Sequence, residues 1–242
     1  MKPEHIFLEK LFVELNAAAI RYAVMRNYQN LPYSTEGSDL DILVHPSDAN
    51  NAKEIIFRAI IQSGGVPIGY FKIPGFLKIF TFGEHETDHK KKLWWGLRLD
   101  ISFGLSFAGA INLLEWPDKY IEMHHGVPVL NDVLANILGV VKEALHNNQL
   151  PARYIDVARK DIDKYWTNIS LALAPIGGKA LHLFKDLLTA KIEASTISDR
   201  CAAIRKALRR HAFWQSPLLY IYRRICFEWS KVHRYISPPG LM

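Results

Sequence analysis

Two acidic residues at the start of an apolar segment, Asp39 and Asp41, carry the strongest chemical signal in this chain. On an extended strand, side chains two residues apart point to the same face, so the two carboxylates would lie a few ångströms apart. Like charges that close repel each other unless a cation lies between them, and oxygen ligands favour Mg²⁺ or Mn²⁺. The pair therefore predicts a divalent-metal site, although an acidic pair on an exposed strand end is a common alternative.

A third acidic residue, Asp100, lies inside another predicted strand, Leu97–Ser102. A buried carboxylate without a partner is costly, so this side chain needs a strand edge, a basic partner or a metal. Arg98 or a lysine would satisfy it by pairing, which is the simpler explanation. A metal shared with Asp39 and Asp41 would make Asp100 the third ligand.

Helix and strand patterns alternate around these acids. Apolar residues recur with helical spacing over residues 4–18, and again in a helix with a predicted N-cap at Ser47 and an end at Gly64-Gly65. Extended segments of β-branched and aromatic residues lie between and after these helices. The predicted strands are Tyr22–Met25, Leu40–Val44, Val66–Tyr70, Leu77–Phe82 and Leu97–Ser102.

Beyond Asn131 the apolar periodicity is helical throughout. Asn131 is the predicted N-cap of the first of these helices, and Pro151, Pro175 and Pro217 stand where each could begin another. The predicted fold class is α+β: a small mixed β-sheet with flanking helices, followed by an all-helical C-terminal half. The predicted domains are residues 1–130 and 131–236, and residues 237–242 have the composition of a linker.

Composition and charge restrict the possible functions. The chain has 242 residues and is 49% hydrophobic, which is enough for a sizeable core, and no run of about 20 apolar residues predicts a membrane span. Cys201 and Cys226 lack metal-type spacing, which predicts reduced thiols in a cytoplasmic protein. The net charge of +6 suits a polyanionic partner, but nucleic acid is disfavoured because basic and aromatic residues do not interleave on the predicted sheet.

Over about residues 4–145, the chain resembles the nucleotidyltransferase superfamily of the polymerase-beta type. The resemblance lies in the order of its predicted elements: a helix, a strand, a turn, a strand with Asp39-Leu-Asp41 and a later strand with Asp100. More narrowly, Met25–Pro32 running to Gly37–Asp41 resembles bacterial nucleotidyltransferase-like modules of polysaccharide-synthesis loci. In two-module proteins of that kind, a P-loop kinase module resembling thymidylate kinases follows a linker. The resemblance therefore leads us to expect such a kinase module after this chain.

The resemblance implies transfer of a nucleoside monophosphate from a nucleoside triphosphate to a hydroxyl acceptor, with a saccharide favoured and pyrophosphate released. The implied cofactor is Mg²⁺ or Mn²⁺. Asp39 and Asp41 would bridge two ions, while Asp100 would complete the ion at the acceptor hydroxyl and accept its proton.

One position departs from the family's pattern. A Gly-Ser or Gly-Gly pair usually ends the first strand, where its backbone N–H groups meet the phosphates, and this chain has Arg26-Asn27 there. Arg26 could neutralise phosphate by its charge. Alternatively, triphosphate binding is lost, and the chain is a degenerate binding or regulatory module that serves the attached kinase. The nucleotide-binding candidates are Arg26, Asn27, Ser38, Lys142 and Arg153.

Several other signals are weaker. Lys142 adjoins the apolar stripe of its helix, so a solvated lysine explains it equally well. The run Lys90–Lys92 could attract a polyanion but has the character of a solvated loop. His85 and His89 would suit a transition metal only on a helix, whereas this stretch has the composition of a loop. The segment Pro175–Ala180 contains Gly-Lys but lacks the spacing of a P-loop.

Residues Ser216 to Tyr235 combine apolar and basic side chains with helical spacing. Such a basic amphipathic helix could lie on anionic lipid or dock on another protein, and the alternative is that it packs on its own core. The predicted localisation is cytoplasmic, with this helix as a candidate for peripheral contact with the inner face of the membrane.

Overall fold

The structure is a computed structural model that describes residues 4–86, 92–148, 150, 152–189 and 196–236. Its helices are α1 (His5–Ala17), α2 (Ala49–Gln62), α3 (Asp132–His146), α4 (Ala152–Ala172), α5 (Gly178–Thr189), α6 (Ile197–Gln215) and α7 (Pro217–Ile236). Its strands are β1 (Tyr22–Val24), β2 (Leu40–Val44), β3 (Gly65–Ile73), β4 (Phe76–Glu86), β5 (Lys92–Phe103), β6 (Ser106–Phe107), β7 (Ile111–Asn112), β8 (Ile121–His124) and β9 (Val127–Leu130).

Most of the strands join one mixed sheet. Among the described residues, its seven strands follow the order β3-β4-β5-β2-β1-β9-β8. The pairs β2–β5 and β1–β9 are parallel, and the remaining neighbours are antiparallel. The predicted α+β class, with a mixed sheet and a helical C-terminal half, is confirmed. All five predicted strands are present, whereas the sequence patterns missed β6 to β9.

One face of the sheet is covered by α1 and α2. Helix α1 supplies apolar side chains every three or four residues, and α2 does the same, because 3.6 residues per turn place such positions on one face. The inward positions of β1, β2, β4 and β5 meet them, as expected for strands whose side chains alternate between two faces. Core residues include Phe7, Leu11, Leu15, Ile56, Ile60, Leu40, Ile42, Ile79, Leu99 and Ile101.

The start of α2 differs from the prediction. Ser47 lies in a 3₁₀ turn, Pro46–Asp48, whose side-chain cap is His45, since His45 Nδ1 accepts a hydrogen bond from Ser47 N at 3.2 Å. Arg21 holds Asp48 through Nε and Nη2 at 2.9 and 3.0 Å, so this carboxylate does not cap α2. The same guanidinium lowers the pKa of Asp48 far below its usual range. The predicted cap at Ser47 is therefore wrong because these partners compete for the turn.

Asn131 is the N-cap of α3, as predicted, and its Oδ1 accepts a hydrogen bond from Leu134 N at 3.0 Å. We expect Asn131→Ala to lower the free energy of unfolding by about 1 kcal/mol, because the helix N-terminus loses its side-chain acceptor. Urea unfolding followed by circular dichroism measures this. Asn131→Asp keeps the acceptor and should retain most of the stability, so equal losses in both variants would contradict a capping role.

Contacts along the chain group it into two compact units. One unit is drawn from Met1–Gly104, Ile121–Leu130 and Glu228–Met242, and it contains the seven-stranded sheet with α1 and α2. The other is drawn from Leu105–Tyr120 and Asn131–Phe227, and it contains the β6–β7 hairpin and α3 to α6. The sequence predicted one boundary between the sheet and the helical half, after residue 130. In the structure, Leu105–Tyr120 precedes that boundary but groups with the helical unit.

Two of the three predicted proline starts fall within the described residues. Pro217 is the first residue of α7, as predicted. Pro175 lies in a 3₁₀ turn, Ala174–Ile176, and α5 begins just after it at Gly178. Pro151 lies outside the described residues.

No helix in the described part of the chain is both long and apolar enough to cross a membrane.

Candidate functional site

The three predicted carboxylates lie on one face of two neighbouring strands. In the parallel pair β2–β5, Asp41 is directly opposite Asp100, so both side chains leave the sheet on the same side. Asp39 directly precedes β2 and shares that side by alternation. The intervening Leu40 and Ile42 point into the core beneath α1 and α2. The acids therefore occupy the sheet face opposite to the one that α1 and α2 cover, as the sequence spacing predicts.

The carboxylates differ in exposure. Asp41 and Asp100 are buried, with 5% and 7% of their surfaces exposed, whereas Asp39 is half-buried. Ionised carboxylates at this depth are strongly destabilising unless hydrogen bonds or cations compensate for the lost water. The neighbouring residues must therefore supply positive charge.

Basic side chains supply that charge. Arg26 Nε donates to Asp41 Oδ2 at 2.6 Å, a short, charge-assisted hydrogen bond. Arg98 pairs with Asp39 and also approaches Asp100, with 3.4 Å between Nε and Oδ1. Lys78 Nζ lies 3.4 Å from Asp100 Oδ2. In the structure, Asp100 thus has basic partners, Arg98 and a lysine, which is the simplest of the three explanations that the sequence offered.

This ion-pair network leaves one defect at its centre. Within the described residues, Asp100 Oδ1 and Arg98 Nε are both buried and neither makes a hydrogen bond, because their mutual contact at 3.4 Å is poorly directed. A buried acceptor in that state costs free energy. Arg98 and Arg26 have 36% and 40% of their side chains exposed, so both guanidinium groups can move towards solvent. The face can therefore accept a further cation or proton donor at Asp100.

The segment between β1 and β2 positions Asp39. Its start is fixed by Met25 N, which donates to Asp41 O at 2.9 Å. Its middle is tied to the first helical turn, since Ser34 Oγ donates to Glu4 Oε1 at 2.7 Å. Its end is closed by Ser38 N, which donates to Thr35 O at 3.0 Å. Ser38 thereby lies directly beside the carboxylates.

Arg26 and Asn27 lie just after the end of β1, in the turn that leads towards β2. Asn27 adopts a left-handed backbone conformation with φ of 56°. Glycine adopts this region freely, and asparagine is among the few other residues that enter it at low cost. The turn thus has a backbone that a glycine would permit. Arg26 adds a guanidinium, which is held by Asp41.

Two predicted nucleotide-binding residues belong to the other compact unit. Lys142 lies in α3 with an exposed side chain, and Arg153 lies in α4 with its side chain outside the described residues. The structure therefore groups Arg26, Asn27 and Ser38 with the carboxylates in one unit, and it does not group Lys142 and Arg153 with them.

The predicted metal ligands do not form a ready-made cage. Within the residues that the structure describes, no group of three or more histidine, cysteine, aspartate or glutamate side chains is arranged to hold an ion. Two observations still fit a divalent cation: the shared face of the acids and the unsatisfied Asp100 Oδ1. To hold it, Asp39, Asp41 and Asp100 would exchange their basic partners for the ion.

The remaining sequence signals do not add to the site. His85 lies in β4 but its side chain is not described, and His89, Lys90 and Lys91 lie outside the described residues. Lys92 pairs with Glu84, with 2.6 Å between Nζ and Oε1. The backbone of residues 84–86 continues β4, where the sequence predicted a loop.

Lys78 is the site residue that sequence reasoning did not name. It stands between Leu77 and Ile79, whose side chains are buried on the opposite face of β4. A lysine inside an apolar strand is a signal of the same kind as Asp100, because a central strand position must find a partner for its charge. The antiparallel register pairs Lys78 directly with Asp100.

Comparisons with known proteins add no relative: no family model matches the chain, and neither the curated proteins nor the solved structures contain a match.

Proposed function

We propose that this protein is a metal-dependent nucleotidyltransferase that transfers a nucleoside monophosphate from a nucleoside triphosphate to a hydroxyl acceptor. The observation that carries the proposal is the placement of Asp39, Asp41 and Asp100 on one face of β2 and β5, with an unsatisfied carboxylate oxygen among them. Carboxylate oxygens are the ligands that Mg²⁺ and Mn²⁺ prefer, and these three acids would hold such an ion once they exchange their basic partners for it. This supports the nucleotidyltransferase-like fold that the sequence motifs resemble.

Each carboxylate has a role in the proposed reaction. Bound metal would supply charge neutralisation on the triphosphate and acidify the acceptor hydroxyl. Asp39 and Asp41, side by side at the start of β2, would hold the nucleotide's metal. Asp100, in register with Asp41, would orient the acceptor hydroxyl and accept its proton, a role open to a buried carboxylate with a free acceptor oxygen.

The basic side chains would change partners when substrate binds. Arg98 and Arg26 pair with the acids, and both are partly exposed. A metal ion at the carboxylates would release these guanidinium groups to the phosphate oxygens, which they match in geometry. The left-handed turn at Asn27 and the backbone at Ser38 would then bound the phosphate site. Lys142 and Arg153 remain candidates on the strength of the resemblance alone.

A second candidate function is a binding or regulatory module that has lost catalysis. One observation favours it: every one of the three carboxylates already has a basic partner, which removes the electrostatic need for a metal. Such a module would bind an anionic ligand through Arg26, Lys78 and Arg98, without releasing pyrophosphate. In that case the partner would be the kinase module that the resemblance implies.

The acceptor class follows from the same resemblance, which favours a saccharide. We place the reaction in the cytoplasm, where nucleoside triphosphates are available.

Thermal unfolding with nucleoside triphosphate and Mg²⁺ tests the proposal. A ligand at a hundredfold excess over its Kd stabilises by about 2.7 kcal/mol, which should raise Tm by roughly 2–4 °C for each kcal/mol. We expect the rise for at least one of the four common triphosphates, only with the metal present. Asp39→Asn should remove it, and the exposed Asp118→Asn in the other unit should not.

Pyrophosphate release then separates the two candidates. Stabilisation accompanied by metal-dependent pyrophosphate release with a saccharide acceptor supports the transferase. Stabilisation that needs no metal, persists in Asp39→Asn and is lost in Arg98→Gln supports the binding module. Absence of any shift with all four triphosphates would contradict the transferase, and it would also contradict a binding module whose ligand is a nucleoside triphosphate.

A further inference from the structure

The last two helices hold the positive charge of the chain. From Ile197 to Ile236 there are nine lysine and arginine residues against two acids, Asp199 and Glu228, whereas the whole chain has 30 basic and 24 acidic residues. The rest of the sequence is therefore close to neutral. Several of these basic side chains are exposed on the surface: Lys206, Arg209, Arg210 and Arg223.

Helix α7 is held by one of its faces. Phe227 packs so closely on Gly109 that a Cβ at that glycine would lie 2.6 Å from Cδ2 of the ring. Arg224 Nη1 donates to Ala108 O at 3.4 Å. Tyr220 lies on the same side of the helix, four residues before Arg224, and is half-buried. These contacts leave the opposite side of α7 to the solvent.

The opposite side of α7 is an apolar stripe. Leu218, Tyr222, Ile225, Trp229 and Val232 follow one another at spacings of four and three residues, which places them on one helix face. Their exposed fractions are 83%, 65%, 62%, 65% and 47%. Ile221, at 45%, adjoins them. Within the described residues this apolar helix face stays largely exposed, which favours a partner outside the chain.

The nature of that partner follows from charge and side-chain type. A second copy would bring the same excess of positive charge against this surface, and like charges oppose such a pairing. An anionic bilayer surface attracts the basic residues of α6 and α7 and accepts the apolar stripe at the boundary between headgroups and acyl chains. Tyr222 and Trp229 are residue types that favour that boundary.

We propose that α7 is a membrane-surface anchor that lies flat on an anionic lipid bilayer, with Leu218, Tyr222, Ile225 and Trp229 inserted into the headgroup region. Attraction by the exposed arginines and lysines brings the surface to the bilayer, and burial of the apolar stripe holds it there. The anchor does not depend on the nucleotidyltransferase proposal, since none of its residues belongs to the carboxylate site.

Co-sedimentation with vesicles tests the anchor on the intact chain. We expect binding to vesicles of phosphatidylcholine mixed with phosphatidylglycerol, weaker binding as salt is raised, and little binding to phosphatidylcholine alone. Ile225→Ser and Trp229→Ser should each weaken vesicle binding by about tenfold or more, because each removes a large apolar side chain that would be buried in the bilayer. Both residues are exposed, so the fold should tolerate the changes.

The control is Leu171→Ser in α4, since Leu171 is 63% exposed, like Ile225, but does not lie on α7. It should bind as the unaltered chain does. Failure to bind anionic vesicles at low salt would overturn the proposal, as would equal binding by Ile225→Ser. A dimer in solution that Ile225→Ser dissociates would also overturn it, because the stripe would then be an interface between two copies.

Discussion

Asp100→Asn is expected to reduce metal-dependent pyrophosphate release by about 10²–10⁴-fold, the range over which a general base contributes. Asparagine has the shape of aspartate, but its amide cannot accept the proton. It also lacks the negative charge that lies beside Lys78 and Arg98. Because Asp39 and Asp41 would still hold the nucleotide's metal, binding of the triphosphate should be largely retained. The loss should therefore fall on kcat rather than on KM.

Two measurements make that result specific. Ser102→Ala alters the next residue on the same face of β5 and should leave turnover unchanged, since Ser102 has no role in the site. Urea unfolding shows whether Asp100→Asn still folds. Turnover by Asp100→Asn at the rate of the unaltered protein would mean that Asp100 is only the ion-pair partner of Lys78 and Arg98, and the proposed proton transfer would be wrong.

Gly83→Ala is expected to destabilise the protein by about 1–3 kcal/mol, although alanine normally improves a strand. Gly83 lies opposite Trp95 in the β4–β5 pair, and the indole covers the glycine, so a Cβ there would lie 2.5 Å from Cζ2. The ring is 4% exposed and also stacks on Phe7 with 5.2 Å between centroids, so it cannot move aside without disturbing the core. Gly65, across the β3–β4 pair, lies beneath the same ring.

Gly96→Ala is the matched control, on the neighbouring residue of β5. A Cβ at Gly96 would meet its nearest atom, Phe82 Cδ2, at 3.7 Å, an ordinary van der Waals contact. We expect no loss of stability, or a gain of up to about 1 kcal/mol from the reduced freedom of the unfolded chain. Urea unfolding of both variants gives the comparison. Similar effects of the two substitutions would show that contact with Trp95 does not determine the outcome.

Local patterns were sufficient to predict part of the site. Asp39 and Asp41 share a face because side chains alternate along any strand, and Asp100 was identified because an acid inside an apolar strand needs a partner. The predicted helix ends likewise depend on neighbouring residues only. Helix α2 ends just before Gly64-Gly65, and α3 begins after its N-cap Asn131.

Features that depend on pairing between distant strands could not be predicted from the sequence. The basic partners come from other elements, Arg26 from the end of β1 and Lys78 from β4, and only the sheet register brings them to the acids. Strand β9 pairs in parallel with β1, with Val24 opposite Val129. The sequence between these two residues makes up more than half of the predicted α/β domain. Strand β9 has four residues, Val127–Leu130, and a segment that short cannot be recognised as a strand from its own pattern.

The same dependence on distant partners explains the wrong cap at Ser47. A serine before a helix is a sound local prediction. Here Arg21, at the start of β1, draws Asp48 away from the helix end, and His45 accepts the Ser47 N–H. The turn conformation is therefore decided by a cross-strand contact that no local pattern contains.

The parallel pairing of β2 with β5 has a consequence for how the carboxylate cluster forms during folding. Asp41 and Asp100 come together only when two strands separated by a helix and a long hairpin close into register, and such distant contacts form late in folding because the intervening chain must first lose entropy. A nascent chain that has not yet completed β5 has no carboxylate cluster. The proposed metal binding is therefore expected to report completed folding of this unit, because Asp39 and Asp41 alone would lack the third carboxylate.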